Sequence, residues 1–228
     1  MLIKSYGSSS AGSSYLIDDG SSRIIIDCGV KSDTRNVDAV LITHGHGDHY
    51  KYYKDYSNYN IPIYLTEETA TAIKINGYNK EIIEPLELFN TGGYSVLPFE
   101  TEHDCPGAVG YLIKSNSTKE TLLFATDTYY IKYNFPKINY FMLECNYDIV
   151  TLKNNLENNI IPFVFYKRLL KSHFSIDNLI EFLRSQDLSE AKEIYLMHTS
   201  RTNGSPQEFR ARIEKRFNVK TYVFKEAK

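Results

Sequence analysis

The six histidines of this chain are His44, His46, His49, His103, His173 and His198, and the first three crowd into Thr43-His44-Gly45-His46-Gly47-Asp48-His49. Side chains two residues apart in a loop can point into one space, so His44 and His46 can chelate one ion while Asp48 and His49 face a second. Imidazole and carboxylate are borderline ligands suited to Zn²⁺, with Mn²⁺ or Fe²⁺ as alternatives. Asp127 adds a second carboxylate, giving enough donors for two cations. A pair of such cations activates water near neutral pH and neutralises charge on a phosphoryl or acyl oxygen. A histidine scattered at random is more often a surface or satisfied core residue, but here none is left over. Gly45 and Gly47 are expected to let the loop turn tightly and to keep bulk away from the ions.

The elements that must hold these residues read as strands and helices in alternation. Candidate strands are 2–6, 14–18, 22–27 and 38–43, the last ending where the histidine cluster begins, which places the cluster on a loop at a strand edge. Residues 66–76 read as a helix, followed by strands at 94–100, 108–114, 121–126 and 139–144 and a helix at 147–157. Ser175 can cap a helix to about 185 whose apolar face is Ile176, Leu179, Ile180 and Leu183. A strand at 193–198, a helix at 206–217 and a strand at 220–224 complete the chain. His103, Asp127 and His198 each follow a strand directly. Sheets followed by helices, twice over, predict an α/β architecture of two packed mixed sheets with helices outside. The Asn-rich piece at 154–159 reads as a polar helix end. No internal repeat or linker is apparent, so residues 1–228 are taken as a single domain.

Composition narrows the partners. Twenty-six basic against 28 acidic residues give a net charge of −2, which supplies no broad cationic field for long nucleic acid, although a local patch escapes such a count. Small substrates are therefore expected. Three cysteines, Cys28, Cys105 and Cys145, are too few and too odd for a disulfide framework and suit a reducing compartment. Cys28 and Cys105 are read as packing and as an inert neighbour of His103. The start of the chain lacks a secretory pattern and no stretch is long enough to span a membrane, so a cytoplasmic protein is expected.

The order of strand, His44-Gly45-His46-Gly47-Asp48-His49, then later His, Asp and His, resembles the metallo-β-lactamase superfamily with its HxHxDH signature. That resemblance implies a four-layer αββα sandwich. It further implies that His44, His46 and His103 hold one ion, that Asp48, His49 and His198 hold another, and that Asp127 bridges them. Ile24-Ile25-Ile26-Asp27-Cys28-Gly29 resembles the superfamily's early strand, with Asp27 either orienting a ligand or capping a turn.

The di-zinc β-lactamases resemble one another in a Cys where this chain has Asp127, so an aspartate points to phosphodiester or thioester hydrolysis. His173, in Lys171-Ser172-His173-Phe174-Ser175, is similar to the extra histidine of RNase Z-like phosphodiesterases and can protonate a leaving alkoxide. Asp48 or Asp127 can orient the attacking hydroxide. The short gaps between His103, Asp127 and His173 leave no room for an RNA-gripping arm or an added domain. Leu143-Glu144-Cys145-Asn146-Tyr147-Asp148 with Arg168-Leu169-Leu170 resembles both WalJ/YycJ-like proteins, with implied nuclease roles, and compact anti-Pycsar-type cyclic-nucleotide phosphodiesterases. Size and charge favour the second, a homodimer opening a cyclic nucleotide, with no extended nucleic-acid surface. The alternatives are a WalJ/YycJ-like or RNase Z-like nuclease, a glyoxalase-type thioester hydrolase, and a non-catalytic nucleotide-binding protein. Tyr50, Tyr52, Tyr53, Tyr129 and Tyr130 are candidates for base stacking, and Lys167, Arg168 and Lys171 for phosphate or partner contact.

Overall fold

Three strands, β1 (Leu2–Ser9), β2 (Gly12–Asp18) and β3 (Arg23–Cys28), pair as an antiparallel meander. After β3 the pairing switches to parallel, through β4 (Ala39–Leu41), β5 (Ile63–Leu65) and β6 (Lys80–Ile82), in the order β1-β2-β3-β4-β5-β6. Parallel neighbours need crossovers. Here α1 (Gly47–Tyr50) and α2 (Tyr53–Ser57) lie between β4 and β5, and α3 (Glu67–Ile73) between β5 and β6. Ile25, Val40, Ile42, Ile63 and Leu65 pack with Ala70 and Ile73 of α3 and Tyr56 of α2 into one buried cluster.

These observations come from a computed structural model describing residues 1–77 and 79–225. The chain divides into two compact units, residues 1–100 with 105–121, and residues 101–104 with 122–224. The first unit also carries the antiparallel run β7 (Phe89–Thr91), β8 (Tyr94–Glu100) and β9 (Val109–Ser115). Two buried tyrosines tie it to the first sheet: Tyr94 Oη donates to Ser22 O at 3.0 Å and Tyr111 Oη to Ile42 O at 2.6 Å.

In the second unit β10 (Thr121–Ala125), β11 (Tyr140–Glu144), β12 (Glu193–Met197) and β13 (Lys220–Val223) run parallel in sequential order. The interior strand β11 is buried along its whole length and apolar until Glu144, as a parallel strand covered on both faces must be. Helices α4 (Ile149–Glu157), α5 (Phe163–Ser172) and α6 (Ile176–Ser185) connect β11 to β12, and α7 (Pro206–Phe217) connects β12 to β13. Asp148, Ser175 and Ser205 accept from Thr151 N, Asn178 N and Glu208 N and so cap α4, α6 and α7.

Several boundaries differ from the sequence reading. The helix placed at 66–76 stops at Ile73 because Lys74 turns left-handed, at φ 54°. The histidine cluster is not all loop, since Gly47–Tyr50 is helical and carries Asp48 and His49. Helix α5 was not anticipated; its mixed run Phe-Val-Phe-Tyr-Lys-Arg hides the periodicity that packing of Leu169 and Ser172 imposes. The short strands β5, β6 and β7 were also missed, being too brief for an alternation to register.

Candidate metal centre

Asp27 lies near the end of β3 with φ 58°, and its buried carboxylate organises the histidine cluster of the first unit. Thr43 N donates to Asp27 Oδ1 at 2.8 Å and Thr43 Oγ1 lies 3.0 Å from both oxygens. His49 Nδ1 donates to Asp27 Oδ2 at 2.7 Å. A carboxylate holding Nδ1–H fixes the tautomer and leaves Nε2 as the donor atom toward a cation. Asp48 Oδ2 stands 3.6 Å from that Nε2. His44 Nδ1 contacts Thr43 Oγ1 at 3.0 Å while its Nε2 is 3.1 Å from His46 Nδ1. The His44 and His49 rings lie 4.0 Å apart between centroids. His44 thus lies against both His46 and His49, and Asp48 reaches the Nε2 side of His49.

The expected role of Gly47 needs correction, since it has no positive φ and a Cβ there would meet nothing within 4 Å. Gly45 has no positive φ either, but a Cβ there would crowd Ala72 and Ile73 at 3.3 Å. The demanding position is Gly29, where a Cβ would fall 1.6 Å from Asp48 O. Only a glycine lets the end of β3 approach the backbone of the ligand-bearing helix so closely.

The second unit places Asp127, Glu144 and His198 at the carboxyl ends of β10, β11 and β12, the edge where open parallel sheets place their sites, and His173 at the end of α5. Asp127, Glu144, His173 and His198 are all buried and present ligand atoms within 4.8 Å of one another. His198 Nδ1 is 3.1 Å from Asp127 Oδ1 and 3.2 Å from Glu144 Oε1. His173 Nδ1 is 2.5 Å from Glu144 Oε1 and 3.3 Å from Asp127 Oδ1. The two imidazoles stack at 5.5 Å with 16° between planes. Asn146 Nδ2 donates to His198 O at 2.9 Å and braces the turn. His103 Nδ1 donates to Ser172 O at 3.1 Å, and its ring meets His173 edge-on at 5.7 Å between centroids.

Electrostatics sorts these groups. Burial pushes the His103 pKa down, which keeps the ring in the neutral form a ligand requires. Burial also opposes charge on His173, but Glu144 and Asp127 outweigh it and lift its pKa to about 10. The Glu144 carboxyl, which burial alone would push up, is instead held below its usual range by His173 and by hydrogen bonds from both histidines.

Glu144 is the residue that sequence reasoning missed as a donor. Its signal was present, since a carboxylate ending the apolar run Tyr140-Phe141-Met142-Leu143 is too costly to bury without partners. Thr128 N donates to its Oε2 at 3.0 Å, completing that cradle. Cys28 is buried and packs as expected, with burial raising its thiol pKa. Of the tyrosines, Tyr50 and Tyr53 pack half-buried on the first core, and Tyr52 lies under Lys51. Tyr129 and Tyr130 line a cavity of about 510 Å³ with Lys132, Phe174 and Asn178.

These donors, histidines and carboxylates without a cysteine among them, suit borderline divalent cations rather than a closed cysteine site. The fold and the carboxylate–histidine clusters are those of a metal-dependent hydrolase. The α/β sandwich of two mixed sheets flanked by helices is shared with the metallo-β-lactamase fold protein YhfI from Bacillus subtilis. That similarity has a TM-score of 0.73 at 15% identity, over 98% of this chain and 96% of that one.

Residues 22–199 match the family model described as a beta-lactamase superfamily domain, and the chain belongs to that family. It is also similar to exodeoxyribonuclease YycJ of Bacillus anthracis, 24% identical over 96% of this chain and 90% of the relative. Exodeoxyribonuclease WalJ of Streptococcus pneumoniae serotype 2 is 23% identical over 86% and 80%. No helix among the described residues is long and apolar enough to cross a membrane.

Proposed function

We propose that the protein is a metal-dependent phosphodiesterase that cleaves DNA from its ends. The observation that carries this reading is the buried cluster of Asp127, Glu144, His173 and His198, in which a histidine beyond the signature set is held in place by a carboxylate. Similarity to exodeoxyribonucleases over most of the chain supports reading DNA as the substrate rather than the cyclic nucleotide that size and charge suggested. Residues 1–228 act as one hydrolase domain in this reading.

His44, His46, Asp48, His49, His103, Asp127 and His198 are proposed to hold two Zn²⁺, with Mn²⁺ or Fe²⁺ as alternatives. When bound, the ions supply activated water at neutral pH and offset charge on the phosphoryl oxygens. The chain supplies the rest. Asp27 fixes His49, and Ser172 O fixes His103, so that each presents Nε2. Asp48 or Asp127 orients the attacking water. Glu144 holds His173 through Nδ1 and stabilises its charged form, leaving Nε2–H to protonate the departing alkoxide oxygen.

A second reading, opening of a cyclic mononucleotide, is favoured by the cavity of about 510 Å³ whose Tyr129 and Tyr130 can stack one base. The test is a panel of end-labelled DNA and RNA, cyclic mononucleotides and a thioester, each incubated with the metal-loaded protein. Release of mononucleotides from DNA ends is expected. Turnover of cyclic nucleotides with intact DNA would select the second reading, and thioester cleavage alone would overturn both.

A further inference from the structure

On and just before α5, three apolar side chains stand in solvent: Ile160 is 60% exposed, Phe163 55% and Val164 79%. Contiguous apolar surface of this kind marks a place where something docks. The opposite side of α5 is accounted for, because Leu169 packs with Tyr147, Leu152 and Ile161.

On the outer side, Phe163, Lys167 and Lys171 form a row at i, i+4 and i+8, flanked by Val164 and Arg168, and all five are exposed. Lys167 Nζ stands 4.5 Å over the Phe163 ring, which stacks with Tyr166 at 6.3 Å. Residues 163–172 contain no acid. Arg168 of the helix pairs with Asp104 at 2.6 Å. The row leads to the donor cluster, since His173 is the C-cap of α5 and Ser172 O holds His103.

We infer that α5 is a rail for single-stranded DNA that leads the strand end toward His173, an inference that rests on the proposed phosphodiesterase activity. A base takes the place of Lys167 on the Phe163 ring, and the released Lys167 and then Lys171 meet successive phosphates. Aromatic faces interleaved with cations are how proteins hold single strands without reading sequence. Four residues of helix offset the Cα atoms of Lys167 and Lys171 by about 6 Å along the axis, so that their flexible side chains can serve neighbouring phosphates of an extended strand. A net charge of −2 does not oppose this, because counterion release depends on local contacts. A second copy of the chain is the competing occupant, but a symmetric pairing would bring two like-charged lysine rows together.

The test is fluorescence anisotropy of a labelled phosphorothioate oligothymidine with the metal-loaded protein over a salt series. The double variant Lys167→Glu/Lys171→Glu is expected to bind at least tenfold more weakly. Its slope of log affinity against log salt should be shallower by about 1.4, two contacts at roughly 0.7 each. Phe163→Ala is expected to bind roughly tenfold more weakly with its slope unchanged. The neutral Lys167→Gln/Lys171→Gln variant, checked by thermal melting, separates lost contacts from misfolding. Wild-type affinity and slope in all variants would overturn the rail. So would sedimentation showing a dimer that Val164→Ser dissociates, which would assign the face to a second copy. Hydrolysis of bis(4-nitrophenyl) phosphate by the wild type checks the underlying activity separately. Its absence would sink the phosphodiesterase reading while the binding data still judge α5.

Discussion

Glu144 Oε1 lies 2.5 Å from Nδ1 of His173, joining the end of β11 to the end of α5 inside the protein. Both groups are buried, so neither can exchange its partner for water. Breaking such a pair by removing one member leaves the other charge uncompensated, which costs about 3–5 kcal/mol. Glu144→Ala is therefore expected to lower stability by about that amount in chemical denaturation. A loss under 1 kcal/mol would show that the pair is not charged in the fold.

His173→Ala addresses a different step. It is expected to reduce turnover of DNA by roughly 10²- to 10⁴-fold, the range for a lost general acid, while elemental analysis finds the metal content retained. Loss of metal in this variant would reassign His173 from proton donor to ligand.

Asp27 acts through His49 and should be felt in affinity for metal more than in the fold. Asp27→Asn keeps the shape but weakens the hold on His49 Nδ1, and roughly a 10- to 100-fold loss in metal affinity is expected. Competition with a chromophoric chelator measures it, and unchanged affinity would remove Asp27 from the centre.

Gly29→Ala tests the close approach of β3 to the ligand-bearing helix. A methyl group 1.6 Å from Asp48 O cannot be accommodated without moving backbone. A loss of about 1–3 kcal/mol or more in stability, with reduced metal content, is expected. Wild-type values for both would mean that α1 has slack the structure does not display.

Asp19 provides a pH prediction remote from the donors. Burial alone would push its carboxyl up, but Ser115, Ser117 and the backbone N–H groups of Ser21 and Ser22 bring its pKa from 3.8 down to about 2. A depressed carboxylate contributes stability that is present above the unfolded value and disappears as pH falls through the folded one. Asp19→Asn should therefore show a flatter loss of stability between pH 4 and pH 2, read by urea midpoints. Parallel curves for variant and wild type would mean that Asp19 does not titrate as its contacts imply.

The signature Thr43-His44-Gly45-His46-Gly47-Asp48-His49 and the strand-terminal His103, Asp127 and His198 were legible before any fold was known. Ligand chemistry depends on residue type, and strand ends are marked by apolar runs that stop. The α6 helix was equally legible, since Ser175 and the spacing of Ile176, Leu179, Ile180 and Leu183 are local signals. Helix α5 was not, because its outer face keeps aromatic and aliphatic residues in solvent and blurs the pattern that burial normally imprints.

What the chain determined by itself was therefore the set of histidines with Asp48 and Asp127, and the strands that stop just before His103, Asp127 and His198. Tertiary structure decided which donors meet. Glu144 joins His173 and His198 because β10, β11 and β12 run parallel and in register, a long-range pairing that no local window contains. The same holds for the left-handed backbone of Asp27, Asp127 and His198, at φ 58°, 47° and 48°. Those conformations are unfavourable for a lone residue and persist only where surrounding packing over-determines them.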